Sequence, residues 1–288
     1  MIIIKFIGGL GNQMFQYALY RKLKESGKVV KADLTEIKEY NRHNGYEIEN
    51  VFNVKIEEAS IEELSNLKDS RQDIISKFRR KLFGFKKSHY IEKSNAYDEN
   101  ILNLDNIYLD GYWQTSKYFD SIRDVIFKDF NYNFTCDNKN EEVIKLMKES
   151  NSVSMHIRRG DYVSNPEAAK VHGGITTLQY YQNAIKYINA NIENPMFFIF
   201  SDDVEWTKKN IVVDNSMIIS WNRANDSFKD MILMSNCKHN IIANSSFSWW
   251  GAYLNKNKDK KVLAPNKWYN TMEAPDIICD NWITIKVD

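Results

Sequence analysis

The chain opens with an apolar run. Residues 1–7, MIIIKFI, are β-branched and nearly continuous in hydrophobic character, as a strand covered on both faces requires. GGLG then turns the chain. Residues 12–27, NQMFQYALYRKLKESG, place Met14, Tyr17, Ala18 and Leu19 on one side at helical spacing, with Gly27 set to end the helix. KVVKAD, residues 28–33, reads as a second strand. Strand, helix and strand in succession predict a βαβ unit, hence a parallel sheet with helices on its faces.

From residue 34 to 110 the pattern is weaker. Residues 60–87 are charged and helical in period, and IYLDGYWQTSKYF, residues 107–119, gives a short strand, a turn at Gly111 and an aromatic cluster. EEVIKLMKESN is a helix reaching Asn151, after which the strand–helix alternation restarts with SVSMHIRRGDYV. A helix over 177–192 with Thr177 as its cap follows, then strands at PMFFIFSDD, NSMIISW, HNIIAN and KKVLAPN, with helices at KDMILMSNC and SSFSWWGAYLN between them. The alternation predicts an α/β chain of two parts, residues 1–148 and 149–288. In the second part, the loops after the strands would form a ligand crevice.

Composition narrows the partners. With 39 Lys and Arg against 38 Asp and Glu in 288 residues, the net charge is +1 and no global field points to a nucleic acid. Anion recognition must be local. Three scattered cysteines form no C-x-x-C pair, which fits a reducing compartment better than a disulfide framework or a zinc site. The first apolar run is broken by Lys5 and lacks the form of a signal peptide, and no stretch approaches the ~20 apolar residues that span a bilayer. The expected location is the cytoplasm.

Three polar clusters follow apolar strands: His156, Arg158, Arg159 and Asp161; Ser201, Asp202 and Asp203; and Asn244, Ser245, Ser246 and Phe247. An arginine fork binds phosphate oxygens, a helix N-terminus at Ser245–Ser246 offers free amides to a second phosphate, and a carboxylate such as Asp203 matches the N1 and N2 protons of a guanine edge. Each has a plainer reading: Asp203 and the serines as helix caps, and the arginines paired with Asp161 on the surface. The first half adds Gly9, Gly11, Asn12 and Gln13, the last two being amides at the mouth of the glycine turn, where they could meet a sugar or phosphate. Gly9-x-Gly11 with Asp33 about 20 residues on resembles a dinucleotide fingerprint, but Met14 stands where the third glycine belongs.

Taken in order, GGLGNQMFQYA, HIRRGDYV, FSDD and NSSFSWWGAYL resemble the bacterial α-1,2-fucosyltransferases, a family-11-like group of glycosyltransferases that use GDP-fucose. The resemblance implies a GT-B-type α/β fold, two Rossmann-like domains facing a cleft, with residues 1–148 on the acceptor side and 149–288 holding the GDP-sugar. It implies an inverting transfer of L-fucose from GDP-β-L-fucose to the 2-hydroxyl of a galactose residue in a glycan, with no metal and no further cofactor. Arg158 and the Ser245–Ser246 helix start would stabilise the leaving diphosphate, His156 would hold the donor, and Asp161, Glu167 and His172 are the candidates for general base. The Arg-Gly-Asp tripeptide at 159–161 is incidental.

Outside the motifs, Tyr112, Trp113, Tyr118 and Phe119 could stack on sugar rings or form core, and Tyr40, His43 and Tyr46 fall on a loop expected near the acceptor. KFRRKLFGFKK, residues 77–87, holds six basic residues and no acid, with phenylalanines interleaved. It is either a solvated helix face or a peripheral attachment to the inner face of an anionic membrane. Competing classes are a transferase of another GDP-sugar or linkage, an NAD-binding protein reading Gly9 to Asp33, and a carbohydrate-binding module without catalysis.

Overall fold

The computed structural model describes residues 1–39, 44–70, 73–132 and 137–287. Tyr40, His43 and Cys136 lie outside the described residues. The chain divides into two compact units, Met1–Asn133 and Phe134–Asp288.

In the first unit the opening βαβ reading holds: β1 (Ile2–Lys5), α1 (Leu10–Glu25) and β2 (Val30–Asp33). Gly27 sits at φ +80°, the left-handed turn that ends a helix. Short helices α2 (Thr35–Lys38) and α3 (Ile48–Val51) precede α4 (Ile61–Leu67) and α5 (Ile74–Phe83), then β3 (His89–Ile91), β4 (Ile107–Asp110) and α6 (Arg123–Asp129). The sheet is parallel, in the order β2-β1-β4-β3. Ile2, Ile3 and Ile4 are wholly buried, consistent with helices covering both faces. Strand β3 was not foreseen, since three residues starting at a histidine carry no two-residue alternation.

The second unit runs α7 (Asn138–Glu149), β5 (Asn151–Ile157), α8 (Gly160–Ser164), α9 (Pro166–His172), α10 (Leu178–Asn191), β6 (Pro195–Ser201), α11 (Val204–Asn210), β7 (Ser216–Ile219), α12 (Phe228–Asn236), β8 (His239–Ile241), α13 (Ser246–Tyr253), β9 (Val262–Pro265) and β10 (Ile283–Ile285). Thr177 caps α10 by accepting from the Tyr180 amide at 3.2 Å. All strand pairs are parallel, in the order β10-β9-β8-β5-β6-β7. The division falls at 133/134 rather than near 148, because α7 belongs to the second unit's core. Its Val143 and Met147 pack with Phe198, Phe200, Ile219 and Leu233. Helix α13 lies close against α12: a Cβ on Gly251 would meet the Met234 side chain at 2.9 Å.

Candidate functional site

Strand order places the three polar clusters side by side. β8, β5 and β6 are neighbours at the centre of the second sheet, and all point the same way. From β5 the chain proceeds to β6 and β7 on one side, then returns to lay β8, β9 and β10 on the other. Such a reversal opens the crevice where open α/β sheets bind ligands, at the carboxyl ends of the strands. Ile157 pairs with Ser201 in register, so the residues after both strands meet at that edge.

A charge network fills it. Asp202 is the hub: one carboxylate oxygen accepts from the amides of Arg159 and Gly160 at 2.8 and 3.1 Å, and the other pairs with Arg158 Nη1 at 2.6 Å. Arg158 Nη2 reaches Asp161 Oδ1 at 2.7 Å. Arg159 Nε donates to Asp203 Oδ2 at 3.1 Å while its guanidinium lies 4.0 Å from the centre of the Trp206 ring. Asp203 also caps α11, accepting from the Trp206 amide, and Ser201 Oγ accepts from the Asp203 amide and the Thr207 hydroxyl. Two guanidinium groups thus face three carboxylates. The glycine of Arg-Gly-Asp has a packing reason: a Cβ on Gly160 would sit 2.7 Å from Asp202 Oδ2.

The β8 side closes the site. Tyr162 OH donates to the Asn244 carbonyl at 3.1 Å, and the Asn244 amide nitrogen donates to the carbonyls of His172 and Trp268. Asn244 therefore ties the α8–α9 segment to the start of α13 and has little left for a ligand. Ser245 occupies the N-cap of α13 but its side chain makes no capping hydrogen bond, so the amides of the first turn, at Ser246 and Phe247, keep their donors unspent. The Tyr162 ring stacks on His172 at 4.8 Å and 11° and lies 5.5 Å from the Arg158 guanidinium.

Two histidines are held neutral. Burial, aided by the Arg158 charge and opposed by Asp202, pushes His156 down to about 4. Its Nδ1 has no hydrogen-bond partner among the described residues, and its ring is 5.9 Å from that of Phe247. Burial and Arg158 also lower His172, against the pull of Asp161. Glu167 stands exposed in the first turn of α9, with its amide bound to Asn165, and its side chain is not part of the network. Tyr162, Trp206 and Thr207 were missed in the sequence. Arg158 lies before α8, so no helical spacing in the sequence marked its contact with Tyr162.

In the first unit the glycine turn is mostly structural. Gly8, at φ +84°, is the residue that needs to be glycine, since a Cβ there would also meet Asn12 Nδ2 at 2.5 Å. Gly9 is the N-cap of α1 and Gly11 is buried within it. Asn12 accepts from Gln114 at 2.7 Å. Gln13, expected to face a sugar or phosphate, is wholly buried. Its amide donates to Gly8 and Gly45 and accepts from the amides of Glu47 and Ile48. Asp33 is likewise engaged by Thr35, Lys68 and Tyr108, with its carboxyl held low by those bonds against burial. It offers no oxygen to a ribose, which removes the basis of the NAD-binding reading.

No group of three or more His, Cys, Asp or Glu side chains able to hold a metal ion occurs among the described residues. Nor is any helix among them long and apolar enough to cross a membrane.

Two Rossmann-like units with parallel sheets define a GT-B-type α/β fold. Comparison with known proteins gives the family. A family model described as Glycosyl transferase family 11 matches residues 85–286, and the chain belongs to that family. An alpha-1,2-colitosyltransferase of Escherichia coli is 36% identical over 99% of this chain and 99% of its own. The O-antigen biosynthesis glycosyltransferase WbnK of Escherichia coli is 35% identical over 96% and 98%. Galactoside 2-alpha-L-fucosyltransferase Sec1 of Mus musculus is 28% identical over 62% of this chain and 51% of its own. Among solved structures, a mutant of Arabidopsis thaliana FUT1 in complex with GDP aligns with 91% of this chain and 69% of its own, at 10% identity and a TM-score of 0.47.

Proposed function

We propose that this glycosyltransferase moves L-fucose from GDP-β-L-fucose to the 2-hydroxyl of a galactose residue in a glycan, with inversion at the anomeric carbon. The observation that carries the reading is Arg158, held by Asp161 and Asp202 at the switch point. Tyr162 links that loop to the segment leading into α13, whose first turn lacks a side-chain cap. Diphosphate oxygens would replace a carboxylate on Arg158 and take the α13 amides. As the bond from the anomeric carbon to the diphosphate oxygen breaks, that oxygen's growing charge meets a fixed cation. The acceptor oxygen attacks the opposite face, and its proton passes to Asp161 or His172, the two base candidates that adjoin Arg158 directly or through Tyr162. Glu167 stands apart from them and is not assigned a step. Asp203 uses one acceptor position on each oxygen and keeps others for a guanine edge. His156, buried and neutral beside Arg158, supports the donor loop.

A second donor is favoured by one observation, the 36% identity to an alpha-1,2-colitosyltransferase. Colitose is fucose without its 3-hydroxyl, so both sugars present the same anomeric chemistry. The deciding experiment is turnover of a panel of GDP-sugars, fucose and colitose included, on galactosides, with linkage analysis of the product. Clear turnover of another donor with none of GDP-fucose would sink the fucose assignment and leave the phosphate site standing.

A further inference from the structure

Helix α5 is amphipathic with its apolar stripe facing outward. Ile74, Ile75, Phe78 and Leu82 recur at the spacing of one helical face, and together with Phe83 they are 58–85% exposed. Monomeric surfaces rarely leave such a cluster bare without a use for it.

The reason it faces out lies on the other side of the helix. Asp69 is a carboxylate with a side chain only 1% exposed, and it is neutralised by Arg79 and Arg80. It also accepts from the Lys86 amide at 2.9 Å, while its own amide donates to His89 Nδ1 at 3.1 Å. Turning α5 to bury its isoleucines and phenylalanines would pull both arginines off a buried charge, a costly exchange. The polar face is thus the anchored one. Lys77 and Lys81 flank the apolar stripe, Lys86 and Lys87 follow it, and residues 74–87 contain no acidic side chain.

We infer that α5 and the following Lys86–Lys87 segment form a docking surface for an anionic lipid bilayer, with the stripe Ile74, Ile75, Phe78 and Leu82 entering the headgroup–acyl boundary and the lysines pairing with lipid phosphates. Charge complementarity selects this occupant: lysines with no ion pair among the described residues, beside exposed phenylalanine, isoleucine and leucine, match a surface that is anionic outside and apolar beneath. A second copy of the chain would instead bring the same lysines face to face. The inference is independent of the identity of the donor sugar.

Co-sedimentation of the full chain with phosphatidylcholine vesicles, with and without phosphatidylglycerol, tests it. Binding is expected on the anionic vesicles alone and should weaken as salt rises. The double variant Phe78→Asp, Leu82→Asp should lose at least about 10-fold in partitioning. Lys77→Glu with Lys81→Glu should lose roughly 5-fold or more per lysine. Arg79 and Arg80 are left alone, because they hold the helix to Asp69. All these positions are at the surface, so thermal melting should match the parent. Val212→Asp, which alters an exposed apolar side chain in the other unit, should bind as the parent does. Equal binding to neutral vesicles, no binding at all, or an unaffected Phe78→Asp, Leu82→Asp variant would overturn the inference. So would a parent dimer, shown by light scattering, that the same variant splits without changing vesicle binding.

Discussion

Arg158→Ala removes the cation on which the proposed leaving-group step depends. Its two partners fix what is lost structurally: Asp161 at 2.7 Å and Asp202 at 2.6 Å, with the arginine side chain a quarter exposed. Asp202 keeps its two backbone donors and loses only the Arg158 ion pair, one of three contacts. A charged hydrogen bond contributes about 1.5–3 kcal/mol when buried, and solvent at these partly exposed groups reduces that. The net cost in stability should be about 1–2 kcal/mol, or roughly 2–8 °C in Tm. The catalytic cost should be larger: losing one preorganised donor to a developing oxyanion lowers kcat about 100- to 1000-fold, or about 3–4 kcal/mol. The assay is GDP release and product formation at saturating donor and acceptor, beside a melting curve. Arg158→Lys restores the charge without the fork, since one ammonium cannot span both carboxylates in the same plane, and should recover only part of the rate. An alanine variant that melts as expected yet turns over within about 10-fold of the parent would refute the reasoning and make Arg158 a structural ion-pair partner.

Two further substitutions separate scaffold from site. Gln13→Ala leaves four buried backbone groups without their partner, so urea unfolding should show a loss of about 3 kcal/mol or more while GDP affinity of the folded protein is unchanged; normal stability with weakened GDP binding would return Gln13 to the ligand. His156 gives a pH signature. Its pKa falls from 6.5 unfolded to about 4 folded, so between these values the unfolded chain binds more protons and stability rises with pH. The contribution is complete above about pH 6.5 and is lost on acidification towards 4, reaching about 3 kcal/mol. His156→Asn should flatten Tm against pH in that window, and parallel curves for the two proteins would contradict the assignment.

Much of this was legible in the chain because it depends on local order. An unbroken β-branched run followed by glycines and a helical period specifies βαβ whatever surrounds it, and polar clusters after apolar strands announce a ligand edge in any parallel sheet. Thr177 as a cap and Gly27 as a stop are local chemistry and were found where expected. The motif order also carried the family. What the local pattern could not contain was the pairing of distant groups. Asp202 and Asp203 are adjacent and alike in sequence, yet one holds Arg158 and the loop amides while the other caps α11 and steadies Arg159. Gln13 reads as an exposed amide beside a glycine turn, but backbone from residues 45–48 folds over it and uses every polar atom it has.

Helix α7 shows the same division. Its period fixed it as a helix, and only the packing of Val143 and Met147 against the second sheet assigned it to a unit. For α5, composition and spacing set an amphipathic helix with six cations nearby, and either face could have been buried. The carboxylate of Asp69, placed under the helix by the fold, took the arginines and left the apolar stripe outside. The sequence by itself determined the elements, their type and the chemistry available at their ends, because these follow from periodicity and from neighbours a few residues away. Tertiary structure alone decided which polar atoms remained free to act, because hydrogen bonds and ion pairs are settled between residues far apart in the chain.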